Sequence, residues 1–189
     1  RQRRRADPEQ AQEMGAVLDE TQHRHADKDQ KRQHGRHRDM RGGRKAFRQQ
    51  GQEVGEVSLP GQAQWANGTF TINGSGKDID LFNDGFYFVY QKLVGDGQIV
   101  GRIASVVNSA PGTKAGFMIR ESLAGNGSHA FVSASPVEGI AFERRDQTGW
   151  GTNLTSGGYF ATPRYLKLVR SGNTLSGYHS VDGISWTLV

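Results

Sequence analysis

The chain has 189 residues, a formal net charge of +5 and no cysteine, which excludes disulfide bonds and thiolate zinc sites. Residues 1–64 hold 14 Lys and Arg against 10 Asp and Glu, so most of the basic charge belongs to the first third of the chain. No apolar run approaches the roughly 18 residues that a membrane helix needs, and no stretch has the form of a signal peptide. The sequence therefore predicts no membrane span.

Residues 1–50 are rich in Arg, Gln, His and Asp and contain one aromatic residue, Phe47. Such a composition buries too little apolar surface to offset the entropy of ordering, so we expect a disordered basic tail. Arg clusters would also suit a nucleic-acid-binding arm, and imidazoles could share a metal ion. The four candidate imidazoles are those of His23, His25, His34 and His37. Acidic residues dilute any phosphate-binding field and the His spacing matches no ligand pattern, so a solvated tail is favoured and nucleic acid is not expected as a partner.

From about Trp65 the sequence changes to short runs rich in Val, Ile, Phe, Tyr and Thr, separated by Gly, Asn, Asp and Pro. This pattern predicts an all-β fold. The expected strands are 68–73, 85–93, 97–106, 113–122, 128–136, 139–147, 164–172, 174–183 and 185–189. Without helical crossovers, nine antiparallel strands close most simply into a two-sheet sandwich or jelly roll.

Six stretches in this part of the chain carry a family resemblance: GTFTINGSG, FVYQKLVGDGQIVGRIASV, KAGFMIRESL, SHAFVSASP, GIAFERR and YLKLVRSGNTLSGYHSVDGISWT. Together they resemble a bacterial family of concanavalin A-like jelly-roll domains labelled regulation-of-enolase-protein-like. The resemblance implies one jelly-roll domain over 51–189, related in fold to lectins and laminin G domains, in a secreted or cell-surface protein. Members commonly carry Trp where this chain has Asp80, and they continue past SWT-x-V, so it also implies that the last strands are missing.

The stretch KAGFMIRESL ends a predicted strand on two charged residues, Arg120 and Glu121. Strand alternation allows Glu143 to face Arg120 across neighbouring strands, in a bidentate pair that would fix the register. Alternatively, Arg120, Glu143 and Arg145 line the concave face of the roll and bond sugar hydroxyls or carboxylates. The structural interpretation is favoured, and both stay open because the sequence does not show exposure.

Catalysis has little support in the sequence. Retaining glycosidases need two carboxylates about 5 Å apart, and related jelly-roll enzymes place them in an E-x-D-x-x-E run that is not found here. No nucleophile elbow of the form G-x-S-x-G occurs either. A glycoside hydrolase-like enzyme is therefore the third hypothesis, behind two noncatalytic ones.

One acidic stretch, DIDLFNDG, could bind a metal ion. Asp78, Asp80 and Asp84 supply the hard oxygen ligands that calcium prefers, although their spacing is not that of a calcium-loop motif. No other cofactor is predicted, and a polar loop explains the stretch equally well.

Trp150 is the best candidate for ligand contact. It lies in QTGWGTNLTSGGY, among small polar residues without periodic apolar partners, which predicts a loop. There it could stack on a sugar ring while Thr152 and Asn153 bond hydroxyls, or it could fold back over the sandwich rim. The sequence thus predicts a noncatalytic carbohydrate-binding or adhesive module with a polysaccharide or glycan partner. The alternative is a structural spacer or protein-interaction domain without a small ligand.

Overall fold

The computed structural model describes residues 12–18, 50–79 and 81–189, the first of these ranges as backbone alone. These residues form β-strands, turns and loops, without a helix. The strands are β1 (Gln12–Leu18), β2 (Gln50–Val54), β3 (Gln62–Ala66), β4 (Thr69–Asn73), β5 (Phe86–Leu93), β6 (Gly97–Ile103), β7 (Ala115–Arg120), β8 (His129–Ser135), β9 (Gly139–Arg145), β10 (Asn153–Gly158), β11 (Arg164–Ser171), β12 (Thr174–Ser180) and β13 (Thr187–Leu188).

The strands form two packed antiparallel sheets and one separate hairpin. The larger sheet has seven strands in the order β10-β9-β8-β7-β1-β5-β2, and the smaller has four in the order β13-β12-β11-β6. Strands β3 and β4 pair only with each other. Turn chemistry fits this arrangement at the β11–β12 hairpin, where Gly172 has a φ of 57° that favours glycine. The predicted two-sheet antiparallel sandwich is confirmed.

Apolar side chains fill both faces of the larger sheet. Its inner face meets the smaller sheet around Phe117, Val132, Leu166 and Leu168. Its outer face carries a second cluster of buried apolar side chains, covered by residues 74–79 and 81–85. The members of this outer cluster are Val54, Ile79, Phe86, Phe88, Tyr90, Met118 and Phe131. Burial of the outer face is what brings charged side chains of the same strands into a dry environment.

Four strands lie outside the predicted set. Strands β2 and β3 are rich in Gln and largely exposed, so they lack the apolar alternation that predicts a strand. Strand β10 was expected as a loop because its six residues are Asn, Leu, Thr, Ser and two Gly. Strand β1 lies inside the expected disordered tail but pairs with β5 on one side and β7 on the other. The rest of the tail prediction concerns residues outside the described ranges.

The described part of the chain contains no helix that is long and apolar enough to span a membrane. That finding agrees with the prediction of no membrane-spanning helix.

We predict that Ala16→Pro in β1 destabilises the protein much more than Gln62→Pro in β3. Ala16 lies opposite Val89 and Phe117, inside the larger sheet, so proline there removes a donor from an interior ladder. The expected loss of unfolding free energy is on the order of 2 kcal/mol, the cost of one unsatisfied buried group. Gln62 is exposed at the first position of β3, where proline is tolerated. Urea unfolding measures both, and equal effects would show that β1 is not part of the sheet.

Candidate functional site

Three basic side chains form one row across the outer face of the larger sheet. Arg120 on β7 lies opposite His129 on β8, and His129 lies opposite Arg145 on β9. Directly opposed residues of antiparallel strands share a face, so all three point toward the segment that covers the outer cluster. All three side chains are buried. Buried charges need partners.

The partner is Asp84, which lies in the covering segment and is itself buried. Arg145 donates from Nη2 to Asp84 Oδ1 at 2.8 Å and from Nη1 to Asp84 Oδ2 at 2.9 Å, a bidentate pair. Arg120 Nη1 approaches Oδ2 at 3.4 Å, and His129 Nδ1 lies 3.6 Å from the same oxygen. We call Asp84, Arg120, His129 and Arg145 the anchoring network.

The two arginines also hold the backbone of three loops. Arg145 donates to the carbonyl of Leu81 in loop 81–84, to those of Gly125 and Gly127 in loop 124–127, and to that of Trp150 in loop 148–152. Arg120 donates to the carbonyls of Ser122 and Ala124. Backbone bonds join the same loops: Thr152 N–H donates to Leu81 O at 3.0 Å and Asp84 N–H to Gly125 O at 2.8 Å. The anchoring network therefore fixes the loops at one end of the sandwich.

Burial sets the protonation behaviour of this network. It lowers the pKa of Arg120 to about 10 and, together with the charges of Arg120 and Arg145, lowers the pKa of His129 to about 3. Burial also raises the pKa of Asp84, against the opposing hydrogen bonds and charges of Arg145 and Arg120. His129 is thus neutral at pH 7, and its Nε2 has no hydrogen-bond partner among the described residues.

A second buried ion cluster lies on the same face. Lys114 Nζ contacts Asp78 Oδ1 at 2.6 Å and Glu143 Oε2 at 3.0 Å, and Ser133 donates to Glu143 Oε1 at 3.4 Å. Burial raises the pKa of Glu143 to about 7 because one shared ammonium does not offset the lost hydration. Burial alone would lower the pKa of Lys114, but the charges of Glu143 and Asp78 outweigh it and raise that pKa.

The predicted pair between Arg120 and Glu143 is wrong. Strand β8 separates β7 from β9, and the register places Arg120 in the row of Arg145, whereas Glu143 shares its row with Phe131 and Met118. Arg120 pairs with Asp84 instead, and Glu143 with Lys114. Alternation along a strand predicts which face of the sheet a side chain lies on. It does not predict which residues of the neighbouring strands lie opposite it.

The alternative prediction places a sugar on the concave face, bonded by Arg120, Glu143 and Arg145. All three are buried, and their polar groups are bonded to protein atoms. In this conformation they offer no free group to a sugar, because residues 78 and 84 of the covering segment are paired with side chains of that face.

The calcium hypothesis rested on Asp78, Asp80 and Asp84. Asp78 is paired with Lys114 and Asp84 with Arg145, so each carboxylate already has a cationic partner. Asp80 lies outside the described residues. Within the described ranges, no group of three acidic or His side chains is close enough to hold a metal ion.

The anchored loops and the adjoining start of β10 carry a group of exposed apolar side chains, which we call the exposed platform: Leu81, Phe82, Trp150 and Leu154. Trp150 is 55% and Phe82 58% exposed. A Cβ at Gly151 would lie 3.9 Å from Phe82 Cε1, which places the Phe82 ring beside the backbone that follows Trp150. Trp150 therefore lies on a loop, as predicted, and does not fold back into the core.

The two polar neighbours of Trp150 differ in their availability. Thr152 Oγ1 accepts from Arg145 Nη2 at 3.0 Å, so its hydroxyl belongs to the anchoring network. Asn153 begins β10 with an exposed side chain that makes no hydrogen bond to the described residues. Only Asn153 of this pair is free to bond a sugar hydroxyl.

Sequence reasoning missed two contributors to this site. The sequence pattern indicates Asp84 only as a possible calcium ligand, and it assigns no role to Phe82. The stretch DIDLFNDG did contain a signal, since an aromatic residue between acidic residues in a loop has no place in a strand pattern.

The fold and the site define an antiparallel β-sandwich whose buried arginines fix loops that expose aromatic rings. Comparisons with protein-family profiles, with curated proteins and with solved structures find no match to this chain.

We predict that Asp84→Asn lowers the unfolding free energy by about 3–5 kcal/mol, because two buried guanidinium groups lose the carboxylate that they share. The matched control is Asp146→Asn. Asp146 Oδ1 lies 3.9 Å from Arg144 Nε in an exposed pair, and such pairs contribute about 0–1 kcal/mol. Chemical denaturation at pH 7 measures both variants. A loss for Asp84→Asn no larger than for the control would contradict the structural role of the anchoring network.

Proposed function

We propose that this protein is a noncatalytic carbohydrate-binding module that holds a polysaccharide or glycan against the exposed platform. The single observation that supports this most strongly is Trp150, a large aromatic ring with more than half of its surface exposed on a loop whose backbone is fixed. Sugar rings present apolar faces of C–H groups, and flat aromatic rings are their usual partners in binding sites.

Rigidity of the loop supports binding rather than accidental exposure. Trp150 O accepts from the buried Arg145 Nε at 2.8 Å, and Trp150 N–H donates to Gln147 O at 3.0 Å. Phe82 follows Leu81, whose carbonyl accepts from Arg145 Nη2 at 3.0 Å. Both rings thus project from backbone that is already ordered, so less conformational entropy is lost when a ligand binds.

Two observations favour a binding role over hydrolysis. Asp78 and Glu143 are close because both contact Lys114, and its ammonium group engages both carboxylates. Glu143 is also buried, which keeps it from reaching a glycosidic bond. A glycosidase needs two accessible carboxylates, one as acid and one as base or nucleophile.

The resemblance to secreted jelly-roll domains agrees with this proposal. We place the module in a secreted or cell-surface bacterial protein, where a rigid sandwich presents its loops to extracellular polysaccharide.

The test is a glycan-array screen of the full chain, followed by calorimetry with the best-binding oligosaccharide. We expect Trp150→Ala to weaken that binding by about 1–3 kcal/mol, the usual loss when an aromatic stacking surface is removed, with an unchanged melting temperature. Phe82→Ala should also weaken binding of that oligosaccharide.

The matched control is Trp65→Ala. Trp65 is 60% exposed but lies on the separate β3–β4 hairpin, where its ring packs against Phe70 at a centroid distance of 4.4 Å. Equal losses for Trp65→Ala and Trp150→Ala would contradict a site at the platform. Binding to no glycan on the array would instead favour the spacer or protein-interaction alternative.

A further inference from the structure

A third buried arginine, Arg164, has none of the partners that Arg145 has. It begins β11 and is 9% exposed. Among the described residues its side chain has no hydrogen-bond or ion-pair partner, and its Nε is buried without an acceptor. The guanidinium group packs against the Phe160 ring, whose centroid lies 4.5 Å from the guanidinium carbon. A buried Nε–H donor without an acceptor costs free energy, so the site lacks a hydrogen-bond acceptor.

His179 provides a second unsatisfied group beside Arg164. It lies on β12 opposite Leu166, and Arg164 is two residues before Leu166, so both side chains share the inner face of the smaller sheet. The Nδ1 of His179 is buried without a partner among the described residues. Burial and the nearby charge of Arg164 lower its pKa, so the ring is neutral and offers one N–H.

Phe160 joins the two groups into one site. The His179 ring lies 4.9 Å from the Phe160 ring, centroid to centroid, and Arg164 lies over the same ring. Phe160 is 38% exposed and its neighbour Tyr159 is 70% exposed, so the site reaches the surface between aromatic side chains. Both unsatisfied nitrogens are buried beside the Phe160 ring, so a ligand reaches them when this partly exposed ring moves aside.

We propose that Arg164 and His179 bind a carboxylate group, with Phe160 and Tyr159 as an aromatic rim. A carboxylate accepts hydrogen bonds on two oxygens in one plane, which matches a guanidinium edge and a neighbouring imidazole N–H. A single negative charge also matches the single positive charge here, since neutral His179 cannot balance a dianion. A uronic acid residue of an acidic polysaccharide carries both this charge and a ring that the rim could contact.

This site is distinct from the exposed platform. Trp150 precedes the start of β10, whereas Phe160 follows its end. Six residues of extended strand span roughly 20 Å, so the two sites lie at opposite ends of the sandwich. The proposal holds whether or not the platform binds sugar.

The experiment is an NMR titration of the full chain with sodium glucuronate. Glucose is the control without a carboxylate, and sodium chloride is the control for ionic strength. The readouts are the side-chain resonances of Arg164 Nε–H, His179 and Phe160. We expect saturable shifts with glucuronate and none with glucose or chloride. An acetate titration distinguishes the sources: equal affinity for acetate assigns the site to a simple carboxylate, and tighter glucuronate binding assigns it to an acidic sugar.

The variants are Arg164→Lys and Arg170→Lys. Lysine keeps the charge but loses the planar pair of donors, so Arg164→Lys should weaken glucuronate binding about tenfold or more. Arg170 lies at the other end of the same strand and also has a buried unpaired nitrogen, but it has no imidazole or aromatic rim, so Arg170→Lys should leave the affinity unchanged.

Three results would overturn the proposal: no saturable shift with glucuronate or acetate, an equal response to glucose, or an equal loss of affinity in Arg170→Lys. A fourth result, tighter binding of sulfate than of either carboxylate in a parallel titration with sodium sulfate, would also overturn it. If Arg164→Lys fails to fold by circular dichroism, the titrations of the unaltered chain decide the matter alone.

Discussion

The contact between Arg145 and Asp84 is the constraint on which the rest of the site depends. Arg145 is the last residue of β9 and is fully buried, so every N–H of its guanidinium needs an acceptor. Asp84 supplies two carboxylate oxygens, and the carbonyls of three loops supply most of the others. Because a buried guanidinium without these acceptors would cost several kcal/mol, the loops are held by the same interaction that stabilises the charge. The loops order together, since each supplies acceptors that the others cannot replace.

This arrangement explains how a sheet built for stability can carry a binding surface. The side chains of Trp150 and Phe82 are exposed, but the loop backbone beneath them is bonded to a buried residue of the sheet. Arg164 shows the opposite case at the other end of the sandwich. It is buried as Arg145 is, but its hydrogen-bonding capacity is unused by the described residues. The first arginine is satisfied by the protein and has a structural role, whereas the second is available to a ligand.

The sequence predicted the fold well because the strands of the core carry alternating apolar residues between glycine-rich turns, and this local pattern is a direct record of burial. It missed β1, which lies in the predicted tail, and β2, β3 and β10, whose residues are polar and largely exposed. For the site, it located Trp150 on a loop but assigned the wrong partner to Arg120. Row positions depend on the order of strands in the sheet, and the partner Asp84 comes from a covering segment 36 residues away in the chain. Neither fact is contained in a local pattern.

The most direct test of this account is hydrogen exchange at the backbone bonds that join the three loops. The amides to follow are those of Asp84, Gly149 and Thr152, which donate to Gly125 O, Asn126 O and Leu81 O. If Arg145 holds the loops together, Arg145→Lys will reduce the protection of all three amides by a similar factor, because they open as one unit. The amide of Leu168 in the smaller sheet will keep its protection relative to global unfolding. Retention of protection at the loop amides, or loss at one loop alone, would contradict the claim that one guanidinium orders them.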